Sequence, residues 1–460
     1  MSPQPKASPL LPLLLTITIF IQLLDATILN TALPAIAKDF HESPLVMQST
    51  IISYALTLAI FIPLNSFLSD RIGLKKLFMG AMVVFVLGSI GCAMSPNLNW
   101  LLTGRVVQGI GGAMLAPAAR TIIMRSYTRS QFFNVFNYAS MPALLAPVLG
   151  PAIGGYLADY ATWHWIFLIN VPIGLGALIL AWYILPLFPY KKSKLDLKGF
   201  FLFSGASFCL TLALELFDGN ELVGLVVGLL IAGFAGVYFY WGHAKSEKDA
   251  IYSRDLFQIR TYRIGMAGNL VCRLGIGGVP YLLPLLFQIA YQDSASLSGM
   301  LLAPMALAGV AVKPGFKFIL SRFGYRKTLI RNTQILGFLI LLLGLPGKEA
   351  SLWIYVPILI VLGGVNSLQF TAMNTITLSK LRDYQTTSAN SMLSVNQLLS
   401  LGFGVAISAI CLRIFNTDMI AHGDIFVAFR YSFIVIGLLT MISGAVFARL
   451  HVQDGKNMMG

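Results

Sequence analysis

What this chain can fold into is limited first by an alternation. Runs of about twenty apolar residues follow one another from end to end, separated by short polar loops. That is the length one α-helix needs to cross about 30 Å of hydrocarbon. The runs are Leu10–Leu33, Val46–Leu68, Lys76–Met94, Trp100–Met124, Phe133–Leu157, Trp165–Leu187, Gly199–Leu216, Leu222–Trp241, Tyr262–Ala290, Ala295–Leu320, Lys327–Leu345, Leu352–Leu378, Ser388–Ile414 and Phe426–Leu450, about fourteen in all. In lipid the backbone must bond to itself, so each run is expected to be helix. The expected class is an all-α polytopic membrane protein. Only 11% of the residues are charged, less than half of the ~25% usual in soluble domains, so most of the surface faces something other than water.

The loops support this count. Even-numbered connections carry bases, among them Arg71, Lys75 and Lys76 after the second run and Arg322, Arg326 and Lys327 after the tenth. Odd-numbered connections carry mostly acids, such as Asp39, Glu42, Asp159 and Asp218. Basic loops stay on the cytoplasmic side, which puts both termini there. The net charge of +14 is then a signal of membrane orientation, and no nucleic-acid partner is expected. The first run holds Asp25 and lacks a small-residue cleavage site, so it reads as a span rather than a removed signal. Cys92, Cys209, Cys272 and Cys411 all lie in apolar runs, which points to neither disulfides nor a metal. There is no H-E-x-x-H, no carboxylate pair and no phosphate-binding glycine loop. Neither an enzyme, a nucleotide-driven pump nor a cofactor is expected.

An internal repeat sets the domain plan. SFLSDRIGLKKL (Ser66–Leu77) follows the second run, and FILSRFGYRKTL (Phe318–Leu329) closes the tenth. Aligning Gly73 with Gly324 pairs Arg71 with Arg322, Lys75 with Arg326 and Lys76 with Lys327, while Asp70 meets Ser321. This implies two pseudo-symmetric six-helix bundles, residues 1–190 and 261–460, with two helices and a linker inserted over 191–260. Related halves around a midplane site are a common transporter plan.

Five stretches resemble the major facilitator superfamily. SFLSDRIGLKKL resembles its loop signature after the second helix, with Ser66 in place of the usual leading glycine. LLTGRVVQGIGGAM (Leu101–Met114) resembles its fourth-helix motif, with Arg105 and Gly109. APVLGPAIGG (Ala146–Gly155) resembles the fifth-helix motif of its antiporters. LLDATILNTALP (Leu23–Pro34) and WHWIFLINVPIG (Trp163–Gly174) narrow the likeness to the fourteen-helix drug:proton antiporter branch, where Arg is commoner at the position of His164. The resemblance spans nearly the whole chain. It implies a monomeric, proton-coupled exporter of small molecules that works by alternating access in a bacterial inner membrane. It also implies that Asp70, Arg71, Gly73 and Lys75 form a gating loop. Pro147, Gly150, Pro151, Gly154 and Gly155 would form a kinked, closely packed seal between the halves. Ordinary glycine packing is the alternative, since small residues mark helix contacts in lipid. An exporter or proton symporter of organic anions, such as carboxylate metabolites or metal chelates, is the second functional reading.

Charges inside the runs need a reason, because each costs roughly 2.5–3.5 kcal/mol at a helix centre. Asp25 and Arg105 fall at comparable depth, Arg105 roughly 7.5 Å inside its run by helix rise, so the two can pair. They read either as a proton-coupling pair or as a permanent structural one. Arg273 lies roughly 16 Å from the cytoplasmic end of the ninth run, and Lys313 lies deep in the tenth. These two bases favour an anionic or zwitterionic substrate, or else serve as partners for buried carbonyls or for Asp25. Gln22, Gln369, Asn390 and Gln397 supply polar groups for the same cavity or for bonds between helices. Arg120 is expected to snorkel to an interface.

Overall fold

The computed structural model of the chain describes residues 8–42, 47, 49–139, 145–146, 149–150, 153–154, 156–157, 160–188, 196–216, 223–247, 250–293, 295–416 and 424–458. All regular structure among them is helical. Helix α1 (Leu11–Phe40) passes its expected end and continues through Pro34. The second run is bent, with α2 (Ser49–Phe61) and α3 (Leu64–Ile72) meeting at 58°. Pro63 stands at the joint and has no N–H for the preceding turn, so the hydrogen-bond ladder breaks there.

Gly73, with φ 86° and ψ 149°, turns the chain from α3 into α4 (Leu74–Ala93). Side chains avoid that region of backbone space. The aligned Gly324 has φ 72° and ψ 162° inside α14 (Phe316–Leu343), so the two copies share a backbone turn as well as a charge pattern.

Helix α5 (Leu98–Ser126) starts at Asn97, whose side chain accepts the Trp100 N–H at 3.0 Å. It is followed by α6 (Arg129–Ala139), α7 (Trp165–Leu168), α8 (Asn170–Ile184), α9 (Leu197–Glu215) and α10 (Val223–Ser246). The ninth run is α11 (Arg260–Ile276) and α12 (Val279–Leu285), broken at Gly277 and Gly278. Then come α13 (Ala295–Ala311), α14, α15 (Tyr355–Leu378), α16 (Thr386–Phe415) and α17 (Ile425–Phe447).

Among the described residues eleven helices are long and apolar enough to cross a membrane, or twelve if α2 and α3 are one span. The fourteen expected are not reached, for two reasons. The runs Ala295–Leu320 and Lys327–Leu345 fall in one 47-residue stretch, Leu297–Leu343, which breaks at Lys313–Gly315 and again at Gly324. The run Phe133–Leu157 includes residues outside those described.

Contacts divide the chain into two units, Met1–Leu256 with Arg382–Val395, and Phe257–Leu381 with Asn396–Gly460. The inserted α9 and α10 fall in the first, and α16 is shared. In the first unit Ile28, Leu29 and Ala32 of α1 pack with Trp163, Ile166 and Phe167 around α7. In the second, Leu282, Leu283 and Phe287 pack with Leu336, Ile340, Tyr355 and Phe433.

Candidate functional site

Close helix contacts build the site in the first unit. A Cβ on Gly88 would overlap the Gln108 backbone, and one on Gly104 would lie 2.8 Å from Cys92 Sγ. One on Gly111 would lie 2.5 Å from the Phe85 amide. Helices α4 and α5 can therefore approach backbone to backbone. This fixes the rotation of α5 and aims Arg105 and Gln108 at α1.

Asp25 and Arg105 form the pair that their depths predict, with Nη1 2.8 Å from Oδ2 and side-chain exposures of 0% and 1%. Oδ1 of Asp25 accepts from Gln108 Nε2 and from Asn170 Nδ2, each at 2.8 Å. Arg105 donates further to Gln108 Oε1 at 2.7 Å and to the Thr50 carbonyl at 3.2 Å. Its guanidinium carbon lies 4.3 Å from the Tyr54 ring centre. Gln108 passes the chain on to Ser89, and Ser89 to the Phe85 carbonyl. Removing two charges from water costs several kcal/mol per ion, and this bonding offsets that cost. The result is a dry charge pair whose every partner belongs to a separate helix segment or turn.

The sequence missed Gln108 and Asn170. Gln108 lies one turn from Arg105 and shares its face. Asn170 is the lone amide of WIFLINVP, and an amide in an apolar run asks for a partner just as a charge does.

The glycine–proline stretch meets α1. Thr27 Oγ1 donates to the Ala146 carbonyl at 3.1 Å, and a Cβ on Gly150 would overlap that same hydroxyl and approach the Ile28 amide. Gly154 is buried. Pro147, Pro151 and Gly155 lie outside the described residues.

The residues of the expected gating loop have different partners, and Asp70 interacts with a base outside that loop. Arg125, near the end of α5, donates to Thr386 Oγ1 and Thr387 Oγ1 at 3.2 Å and to the Asp383 carbonyl at 3.3 Å. Asp70 acts on it electrostatically. Lys75 Nζ instead donates to the Trp182 carbonyl at 2.7 Å, and Arg71 is exposed beside Phe67. Ser321, the counterpart of Asp70, bonds back to the Phe318 carbonyl. Arg120 does not snorkel. It is 7% exposed and donates to Ser394, because helix depth alone cannot say whether a neighbour covers a side chain.

The expected substrate residues are spread over both units. In the first, Gln22 donates to the Gly112 carbonyl at 2.9 Å, and Asn390 Nδ2 to the Thr386 carbonyl at 2.9 Å. In the second, Gln369 bonds Asn332, Thr333 and Cys272, so it ties helices together. Gln397 donates to Asn374 Oδ1 at 2.7 Å. Lys313 is fully buried at the break before α14. Arg273 is 9% exposed, its Nε donates to Asn269 Oδ1 at 3.3 Å, and its guanidinium lies 4.9 Å from the Phe370 ring centre. Its Nη2 and the Nδ2 of Asn374 have no acceptor among the described residues.

Comparison with known proteins agrees with this geometry. A model of the Major Facilitator Superfamily matches residues 15–404. The chain is 38% identical over 444 residues to a Serratia proteamaculans protein provisionally named multidrug resistance protein MdtD, covering 95% of this chain and 92% of that one. It is 37% identical over 441 residues to HsrA of Haemophilus influenzae, provisionally named a transport protein, covering 96% and 95%. The crystal structure of the human organic anion transporter MFSD10 matches with a TM-score of 0.68 over 95% of this chain and 98% of that one. At 14% identity that likeness speaks to the fold alone.

Proposed function

We propose, from the premise that this chain belongs to the Major Facilitator Superfamily, that it is a proton-coupled exporter of small molecules. Membership makes it a membrane-embedded transporter and not an enzyme. The observation that carries the finer reading is the dry Asp25–Arg105 pair. An arginine and two amides supply Asp25 with three donors. If the pair opens, Asp25 becomes a buried, uncompensated charge, and a proton relieves it most cheaply. Proton arrival and pair opening are then one event, which is what coupling requires. The contact of Gly150 with α1 serves as the seal, and Asp70 with Arg125 and the start of α16 serves as the gate. Gly73 and Lys75 hold that gate's loop.

The energetics suffice. A potential of 100 mV contributes about 2.3 kcal/mol per proton, and one pH unit about 1.4 kcal/mol. Together they sustain a gradient of several hundredfold for a neutral substrate. The bacterial relatives support an inner-membrane location. The basic loops support cytoplasmic termini, and the chain acts as a monomer.

The test uses purified protein in liposomes, with counterflow screening of cationic dyes and organic acids to find a substrate. An opposing proton gradient should drive that substrate uphill. Asp25→Asn should abolish uphill transport while keeping part of the exchange. Uphill pumping by Asp25→Asn at the wild-type rate would overturn the coupling role.

A second reading rests on Arg273. The buried guanidinium of Arg273 has an Nη2 without an acceptor among the described residues. A carboxylate supplies one in bidentate geometry. Organic anions are therefore the alternative substrate class, with Arg273, Gln397 and Lys313 of the second unit as proposed contacts.

A further inference from the structure

Asn170 differs from the other groups around Asp25. Arg105 can only donate, so it can never accept the hydrogen of Asp25 as a neutral acid. Gln108 has both ends engaged. Its Nε2 serves Asp25 and Ser89, and its Oε1 accepts from Arg105, so turning it over would break the tie to the arginine. Asn170 is fully buried and donates through Nδ2 at 2.8 Å, but its Oδ1 has no partner among the described residues. Rotating that amide by half a turn breaks only its bonds to Asp25 and Ser89, and presents an acceptor to Asp25.

The backbone places this amide at a joint. Asn170 is the first residue of α8, and Ile169 separates it from α7. Pro172 cannot donate to the Leu168 carbonyl, so the helical ladder is interrupted across the joint. On one side, Ile166 and Phe167 pack with Ile28 and Leu29 of α1. On the other, Gly174 lies against Val86 and Met82 of α4. Any movement of α1 relative to α4 is therefore felt at Asn170.

We propose that Asn170 is the positioning residue of proton coupling. As a donor it holds Asp25 in the charged state, and turned over it accepts the hydrogen of the neutral acid, so Asp25 keeps a partner on both sides of the protonation step. The proton comes from hydronium: its O–H bond breaks as the O–H bond on an Asp25 oxygen forms, water leaves, and no other covalent bond changes. This rests on the coupling reading of Asp25.

The test needs no known substrate. In purified protein, the infrared carbonyl band of protonated Asp25 is the titrating band that Asp25→Asn removes. In Asn170→Leu its midpoint should move up by about one pH unit, the difference between a charge-assisted and a neutral hydrogen bond. Asn170→Ala carries the same expectation should the leucine variant fail to insert. An asparagine that only packs would lower the yield of folded protein and leave the midpoint in place. A band that disappears in Asp25→Asn but keeps its midpoint in both Asn170 variants overturns the assignment and spares the coupling role. If Asp25→Asn removes no titrating band, both fall.

Discussion

Removing either half of the dry pair should be costly, unequally for the two halves, and the two losses should not add. Arg105→Met takes away the bonds to Asp25, Gln108 and the Thr50 carbonyl and the contact with Tyr54. It leaves a fully buried carboxylate on two amides. Breaking a buried pair from one side typically costs about 3–5 kcal/mol, so the loss at neutral pH should fall in that range. Asp25→Asn keeps the shape and leaves Arg105 with Gln108, Thr50 and the Tyr54 ring. A desolvated cation–π contact is worth about 2 kcal/mol, so this loss should be the smaller one. The double variant should lose at least about 1 kcal/mol less than the sum of the singles, as groups in one network do. Acid separates the two cases further. A proton can relieve the surplus charge of Arg105→Met, so its deficit should shrink as pH falls, whereas that of Asp25→Asn should not. Thermal unfolding in detergent across a pH series measures all four proteins. Additive losses, or a deficit in Arg105→Met that ignores pH, would refute the picture of a coupled buried pair.

Three further outcomes follow from single contacts. Gly150→Leu should reduce folded yield or block transport, because even a Cβ overlaps Thr27 Oγ1; unchanged transport would mean that this face does not seal against α1. Arg273→Lys should weaken competition by organic acids at least several-fold and leave cationic dyes indifferent, since lysine keeps the charge and loses the fork; strong competition by dyes alone in the wild type would end the anion reading. Asp454 is buried, which by itself would raise its pKa, but the hydrogen bonds from Lys380 at 2.6 Å and from the His451 amide hold it below the usual carboxylate range. Its contribution is present above that ordinary range and is lost as pH falls through the depressed value, so proteolysis of the segment after Phe447 should rise only at strongly acid pH. Asp454→Asn should show that susceptibility already at pH 7.

Much of this was readable along the chain. Helix length and the cost of charge in lipid are properties of residues in order, so the all-helical membrane class and the loop charges were legible. The repeat aligned on Gly73 and Gly324 was legible too, although the positive φ that both adopt came from the structure. The Asp25–Arg105 pair was readable because a buried charge must find its opposite at its own depth. Rotation and coverage were not readable. Gly88, Gly104 and Gly111 decide which side of α5 meets α4, and only that contact brings Gln108 to Asp25. The break before Asn170 decides where its amide points. Arg120 was expected to snorkel and Lys313 to lie deep, yet both are buried, the first against Ser394 and the second at a helix break. Which faces meet depends on packing between segments far apart in sequence, and a single strand of residues carries that only as a set of small side chains that allow close approach.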